Sequence, residues 1–267
     1  PSAAMRNILT GAATLETLDL SGNDIRDIGP LAGTFVIDDG EFGQGWSESG
    51  AKPWSRNIND IVSTGYRGDY RRQFSSTFSP ATWTFTNLEN ATYNVFTSWH
   101  AAQGQATNAG YVFIGDAPAT VFVNQRFAPT SDLSLPLSGG ASTNFQFLSQ
   151  VTPSESIDPV TGKVTYSLTV QLSDLLADGT VTADAVVLVS SELPQSSLKR
   201  LNLQHNPLNE TAFEFSLPML NTRTQAVDAN FALLTDVNAK PVVLTPPGPQ
   251  AGEAGNVYVY PDLLTTA

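Results

Sequence analysis

The stretch LETLDLSGNDI, residues 15–25, and the stretch LKRLNLQHNPL, residues 198–208, fill one template, LxxLxLxxNx(I/L), 183 positions apart. Leu15, Leu18, Leu20, Asn23 and Ile25 occupy its fixed positions first, and Leu198, Leu201, Leu203, Asn206 and Leu208 occupy them again. The spacing has a physical cause. Alternate leucines of a short strand point into one core, and the asparagine amide turns inward to satisfy backbone groups where the strand bends away. These are leucine-rich repeats, and such a repeat cannot bury its apolar face alone, so the two must stack as neighbours. Excising residues 34–195 brings Leu198 to 21 positions after Leu15, within the usual period of roughly 20 to 29. The chain therefore reads as a short solenoid interrupted by an inserted domain.

Composition narrows the function. Across 267 residues, 13 basic against 25 acidic side chains give a net charge of −12, which repels nucleic acid and anionic membrane surfaces. The absence of cysteine removes disulfides, thiolate metal sites and cysteine nucleophiles. No apolar run approaches the roughly 18 residues needed to span a bilayer, so membrane insertion is not expected. Beginning at Pro1, the sequence reads as a portion of a longer protein.

Residues 1–33 hold the first part of the repeat array, continued by Ile28 and Leu31 on its convex side. From residue 34 to 192 the text changes to short alternating runs such as ATWTFTNL, TYNVFTSW, VTYSLTVQL and VTADAVVLV, the period of half-buried antiparallel strands. Without intervening helical patterns these runs predict a β-sandwich of jelly-roll type. The array resumes over 193–239, with a degenerate third repeat around Val227 and Asn230 in which Thr222 and Gln225 replace leucines. Residues 240–267 read as a proline-rich linker and the start of a further β module.

Several segments of the insertion carry a resemblance. FVIDDGEFGQGWSESG from Phe35, GYRGDYRR from Gly65, ATWTFTNLENATYNVFTSW from Ala81, QATNAGYVF from Gln105, VFVNQ from Val121 and VQLSDLLADGTVTADAVVL from Val170 resemble, in order, the golvesin C-terminal or xanthan lyase carbohydrate-binding-like domain family. The chain departs from that pattern at Gln105, where the family often has arginine, and at Phe145 and Phe147, where it has a tryptophan. The resemblance implies a non-catalytic β-sandwich module of a larger multidomain bacterial protein, extracellular or at the cell surface, with polysaccharide or a cell-surface glycan as partner.

Sugar rings stack on exposed aromatic faces, and all four tryptophans lie in the insertion. Trp83 sits inside an alternating strand and reads as core. Trp46, Trp54, Tyr66 and Tyr70 lie in turn-rich text and are the candidate platform, against the alternative that they fill the core or anchor loops; Trp99 and His100, at a strand end, complete the ligand-binding set. Asp38, Asp39 and Glu41 at the start of the insertion and Asp184 in its last strand are placed to converge on one Ca²⁺ if the first and last strands are neighbours. Their alternative is a hydrogen-bonded turn at Asp38 and Asp39 and an Asp184 ion pair with Arg71 or Arg72. Arg67-Gly68-Asp69 spells an integrin-recognition tripeptide but coincides with the GYxGDYR turn and reads as structural. His100 and His205 stand alone, no nucleophile elbow or phosphate-cradling loop occurs, and no carboxylate pair is spaced for hydrolysis, so no enzyme is expected. The alternative to glycan binding is a structural subunit of an S-layer, filament or matrix that assembles with copies of itself.

Overall fold

The protein is described here by a computed structural model covering residues 16–40, 45–50, 52–57, 65–74, 78–114, 118–136, 142–191, 199–209, 211–225 and 231–236. The chain divides into two compact units, one formed by residues 1–34 with 193–267 and the other by residues 35–192. The predicted linker and further module at 240–267, together with Val227, Asn230 and Glu41, lie outside the described residues.

The first unit opens with strand β1 (Thr17–Asp19) and the single-turn helix α1 (Gly29–Ala32). Pro30 suits the first turn because the amide it lacks would have no helical partner there. Gly33 ends the turn at φ 67°, returning its N–H to the carbonyls of Gly29 and Pro30.

Among the described residues, the second unit comprises fourteen strands. These are β2 (Thr34–Ile37), β3 (Trp46–Glu48), β4 (Ser55–Asn57), β5 (Tyr70–Gln73) and β6 (Ala81–Leu88). Next come β7 (Tyr93–Thr97), β8 (Ala109–Ile114), β9 (Ala119–Val123), β10 (Leu133–Pro136) and β11 (Ser142–Val151). The last are β12 (Ser154–Ile157), β13 (Val164–Ser173), β14 (Val181–Ala183) and β15 (Val186–Ser190). One sheet has the order β10-β11-β7-β15-β2 and the other β3-β6-β13-β8-β9, with β12 also on β13; a small sheet, β14-β5-β4, completes the unit. Antiparallel pairing runs through both large sheets, and the result is a β-sandwich.

Alternation decides what lies between the sheets. In ATWTFTNL, Trp83 and Phe85 turn inward while Thr82, Thr84 and Thr86 turn out, and in YNVFT Tyr93 and Val95 turn inward. These side chains meet Tyr111, Phe113, Leu148, Leu168, Val170 and Leu188 in one core. Because β2 lies beside β15, the insertion's first strand borders its last.

After the insertion the first unit continues with β16 (Arg200–Asn202), helix α2 (Leu217–Gln225) and β17 (Ala232–Leu234). β16 lies between β1 and β17 and is parallel to both, with Leu18 opposite Leu201 and Leu201 opposite Leu233. Leu201, Leu203, Leu208, Ile28 and Leu31 share a core separate from that of the sandwich. The Asn206 amide does the job its position in the template demands. Its oxygen accepts the Asn23 and Ile25 amides at 3.0 Å each, and its nitrogen donates to the Leu20 and Leu203 carbonyls at 2.8 and 2.9 Å.

One reading is corrected here. Thr222 and Gln225 are not substitutes for strand leucines, because both lie in α2, and the third strand falls later, at residues 232–234. A π-helical turn, Ala212–Ser216, runs directly into α2, so Pro218 lies within continuous helical backbone rather than at a helix start.

Candidate functional site

Where β2 ends and β15 begins, the chain gathers acidic side chains. Asp38, Asp39 and Asp184 present oxygens that all lie within 4.8 Å of one another, and the three residues are 4%, 0% and 0% exposed. Asp69, also buried, adds its charge to this group and is held by Arg56 through a 2.6 Å contact from Nε to Oδ2. Arg71, nearly enclosed, lies 3.3 Å from Asp39 Oδ2, donates to the Asp39 carbonyl at 2.8 Å, and reaches Glu48 at 2.9 Å. Four buried carboxylates and the partly exposed Glu48 thus lie among two guanidinium groups, of which Arg71 is buried and Arg56 reaches the surface.

The individual bonds explain how the cluster is positioned. Asp184 accepts both its contacts from the Tyr66 amide at 3.0 Å and a 2.7 Å bond from the Ser98 hydroxyl. Gly65 permits this approach, since a β-carbon there would come within 1.9 Å of the Asp69 carbonyl oxygen and 3.5 Å of Asp184 Oδ1. Asp38 accepts the Asp39 amide at 3.0 Å in a local turn. Asp39 Oδ1, in contrast, is buried without a hydrogen-bond partner. An orphaned, fully buried carboxylate oxygen is costly.

The electrostatics follow. Burial, reinforced by the charges of Asp69, Asp38 and Asp184, holds the Asp39 carboxyl well above the ordinary carboxylate range, against the pull of Arg71. Burial raises Asp184 to about 8 although hydrogen bonds from Ser98 and Tyr66 oppose the rise. A hard divalent cation would reverse both shifts. Opposed oxygens around Ca²⁺ stand about 5 Å apart, twice a bond of 2.3–2.6 Å, which suits the spread of this cluster.

The aromatic platform does not form where the sequence placed it. Trp46, Trp54, Tyr66, Tyr70 and Trp99 are each only 2–3% exposed. Each ring is fixed by a specific contact. Trp46 meets Trp83 edge-on at 5.0 Å in register across β3 and β6, and Tyr66 meets Phe145 edge-on at 5.7 Å. Trp54 and Trp99 donate their indole N–H groups to the carbonyls of Ser79 and Phe127, both at 2.8 Å. Tyr70 stacks flat on the half-buried His100 ring at 4.4 Å. Turn-rich text suggested exposure, but these rings anchor the loops from within. The Asp69 of the Arg-Gly-Asp tripeptide is likewise buried, and Arg67 lies over the Tyr66 ring.

A different face carries accessible aromatic surface. On β7, alternation turns Asn94 and Phe96 away from the core, and the register with β11 sets Phe147 opposite Phe96 and Gln150 opposite Asn94. Phe96 and Phe147 meet edge-on at 5.7 Å, Phe147 remains 42% exposed, and the Gln150 amide donates to the Asn94 oxygen at 3.1 Å. Two rings and two neutral amides therefore share one sheet face. Cross-strand register over some fifty residues created this cluster, and the sequence offered only Phe145 and Phe147 together where the resembling family has a tryptophan.

A family model described as "Leucine Rich repeat" matches residues 11–29. No curated protein matches the chain. Among solved structures, the chain is similar to Paenibacillus xanthan lyase, with 22% identity and a TM-score of 0.43 over 60% of this chain and 13% of that one. It is also similar to the CBM35 of Cellvibrio japonicus Abf62, with 15% identity and a TM-score of 0.34 over 60% and 94% of the two chains. The chain thus spans only a small part of the xanthan lyase. No helix among the described residues is long and apolar enough to cross a membrane.

Proposed function

We propose that the inserted β-sandwich is a non-catalytic polysaccharide-binding module of an extracellular or cell-surface protein, and that one Ca²⁺ fastens its first strand to its last. The observation that carries the binding reading is the exposed face of β7 and β11, where Phe96 and Phe147 lie beside the Asn94 and Gln150 amides. Aromatic rings engage the C–H faces of sugars, and adjacent amides exchange hydrogen bonds with hydroxyls at no cost in buried charge. The cation reading rests on the orphaned Asp39 oxygen among buried carboxylates. Asp38, Asp39 and Asp184 are its ligands, and the ion supplies charge balance and a cross-link. Because these carboxylates face inward, they support structure rather than hydrolysis.

Affinity electrophoresis of the full chain through neutral plant and bacterial polysaccharides tests the binding reading. Retardation in at least one polymer, abolished by Phe147→Ala with no loss of thermal stability, is the expected result. Equal mobility in every polymer contradicts it. One observation favours a second reading, a subunit that assembles with its own copies: β9 is a sheet edge and exposes Phe122 at 67%, which offers a template for pairing. Concentration-dependent sedimentation lost in Phe122→Lys supports assembly, and a monomer at all concentrations excludes it.

A further inference from the structure

The small sheet β14-β5-β4 bears an open cleft of about 270 Å³ that belongs neither to the acidic cluster nor to the β7–β11 face. Ser55, Arg72, Gln73, Phe74 and Thr180 line it. Register explains the grouping. Arg72 stands opposite Ser55 on β4 and Thr182 on β14, and Phe74 follows two residues later in the chain. Gln73 is committed to structure, its amide donating to the carbonyls of Lys52 and Pro53.

Three properties of the cleft point to one ligand chemistry. Arg72 is exposed, and among the described residues no carboxylate pairs with it, although the whole chain carries a net charge of −12. The other arginine on this strand, Arg71, is buried against Asp39 and Glu48. Phe74 is 74% exposed, so its ring is accessible at the mouth of the cleft. Thr180 is held on both sides, its carbonyl accepting the Ala106 amide at 2.7 Å and its own amide donating to the Gly104 carbonyl at 3.2 Å.

We infer that this cleft binds a carboxylate-bearing sugar, a uronate unit of an acidic polysaccharide. The planar guanidinium fork of Arg72 matches a carboxylate with two parallel N–H···O bonds. Phe74 offers its ring to the C–H face of the pyranose, and Ser55 and Thr180 supply hydroxyls for the sugar's own. The inference rests on the polysaccharide-binding reading only in taking a sugar as the ligand, since it uses a separate surface.

The test is titration calorimetry of the full chain with trigalacturonate, neutral galactotriose and a sulfate-ester galactan oligosaccharide, with calcium held constant throughout. Trigalacturonate is expected to bind, galactotriose to bind at least about tenfold more weakly at this cleft, and the sulfate ester to bind less well than the carboxylate. Arg72→Gln should weaken trigalacturonate about tenfold or more, Arg72→Lys should restore only part of the loss, and Phe74→Ala should weaken uronate binding while the thermal midpoint stays unchanged. Absence of trigalacturonate binding, or binding indifferent to Arg72→Gln, overturns the inference; preference for the sulfate ester overturns the carboxylate assignment. Neither result touches retention of neutral polysaccharide through Phe147, so the two readings fail separately.

Discussion

Leu18 lies directly opposite Leu201 in a parallel strand pair, although 183 positions of chain separate them. The stretch of sequence between these two paired strands forms a separate unit with its own core. Leu201→Ala should therefore destabilise the repeat unit by about 2–5 kcal/mol and leave the sandwich alone. All four tryptophans lie in the sandwich, so their fluorescence reports only its unfolding. A calorimetric transition that falls without movement of the fluorescence midpoint is the expected outcome; a shared fall contradicts independent cores.

Asn206 serves two backbone donors and two carbonyls with one amide. Asn206→Ala leaves all four without that partner, and each buried unsatisfied group costs roughly 1–3 kcal/mol. Chemical denaturation should show a loss of at least about 2 kcal/mol, on the scale of a disrupted network. Asn206→Asp keeps the acceptor but loses the donor, and should fall between the wild type and alanine.

The buried tryptophans carry stability rather than ligand contact. Trp54→Ala removes a core ring and strands the Ser79 carbonyl, a change expected to cost about 3–5 kcal/mol. At temperatures where the variant remains folded, its retention by polysaccharide gels should match that of the wild type. Selective loss of retention in a fully folded variant would place the ligand on Trp54 after all.

How much was legible in the sequence depended on whether the signal was local. The leucine template exposed the repeats because its period sits within eleven residues, and alternation in ATWTFTNL and YNVFT identified inward-facing side chains by the same local rule. The nearness of Asp38 and Asp39 to Asp184 required one further assumption, that the first strand borders the last, and the sheet order supplies it. Exposure was not legible. Turn residues around Trp46 and Tyr66 said nothing of the rings waiting beneath them, Trp83 and Phe145. Asp69 was hidden inside a familiar tripeptide, and the pairing of Phe96 with Phe147 depended on a register across a bulged strand pair.

The acidic cluster predicts a pH dependence of unusual sign. Burial raises the folded-state pKa of Asp39 and Asp184 above the unfolded value of 3.8, so without metal the folded state binds more protons than the unfolded one. Stability of the metal-free chain should then be greatest below about pH 4 as far as these groups are concerned, and decline as pH rises toward about 8, where Asp184 ionises. Added Ca²⁺ competes with those protons and should stabilise the fold more at pH 8 than at pH 5. Thermal midpoints in chelator and in calcium, taken across this range, check the crossover.

The most direct test of a cation-fastened sandwich is the tryptophan-fluorescence melting of wild type and Asp184→Asn at pH 8, each in chelator and in excess Ca²⁺. Ligand at a thousandfold over its dissociation constant adds about 4 kcal/mol, which in a domain of this size raises the midpoint on the order of 10 °C. The account predicts that rise in the wild type and its loss in Asp184→Asn, with the variant in chelator melting above the wild type in chelator because one buried charge is gone. Identical melting of the wild type with and without calcium, magnesium or manganese would contradict the account and leave the carboxylates as a proton-sharing cluster.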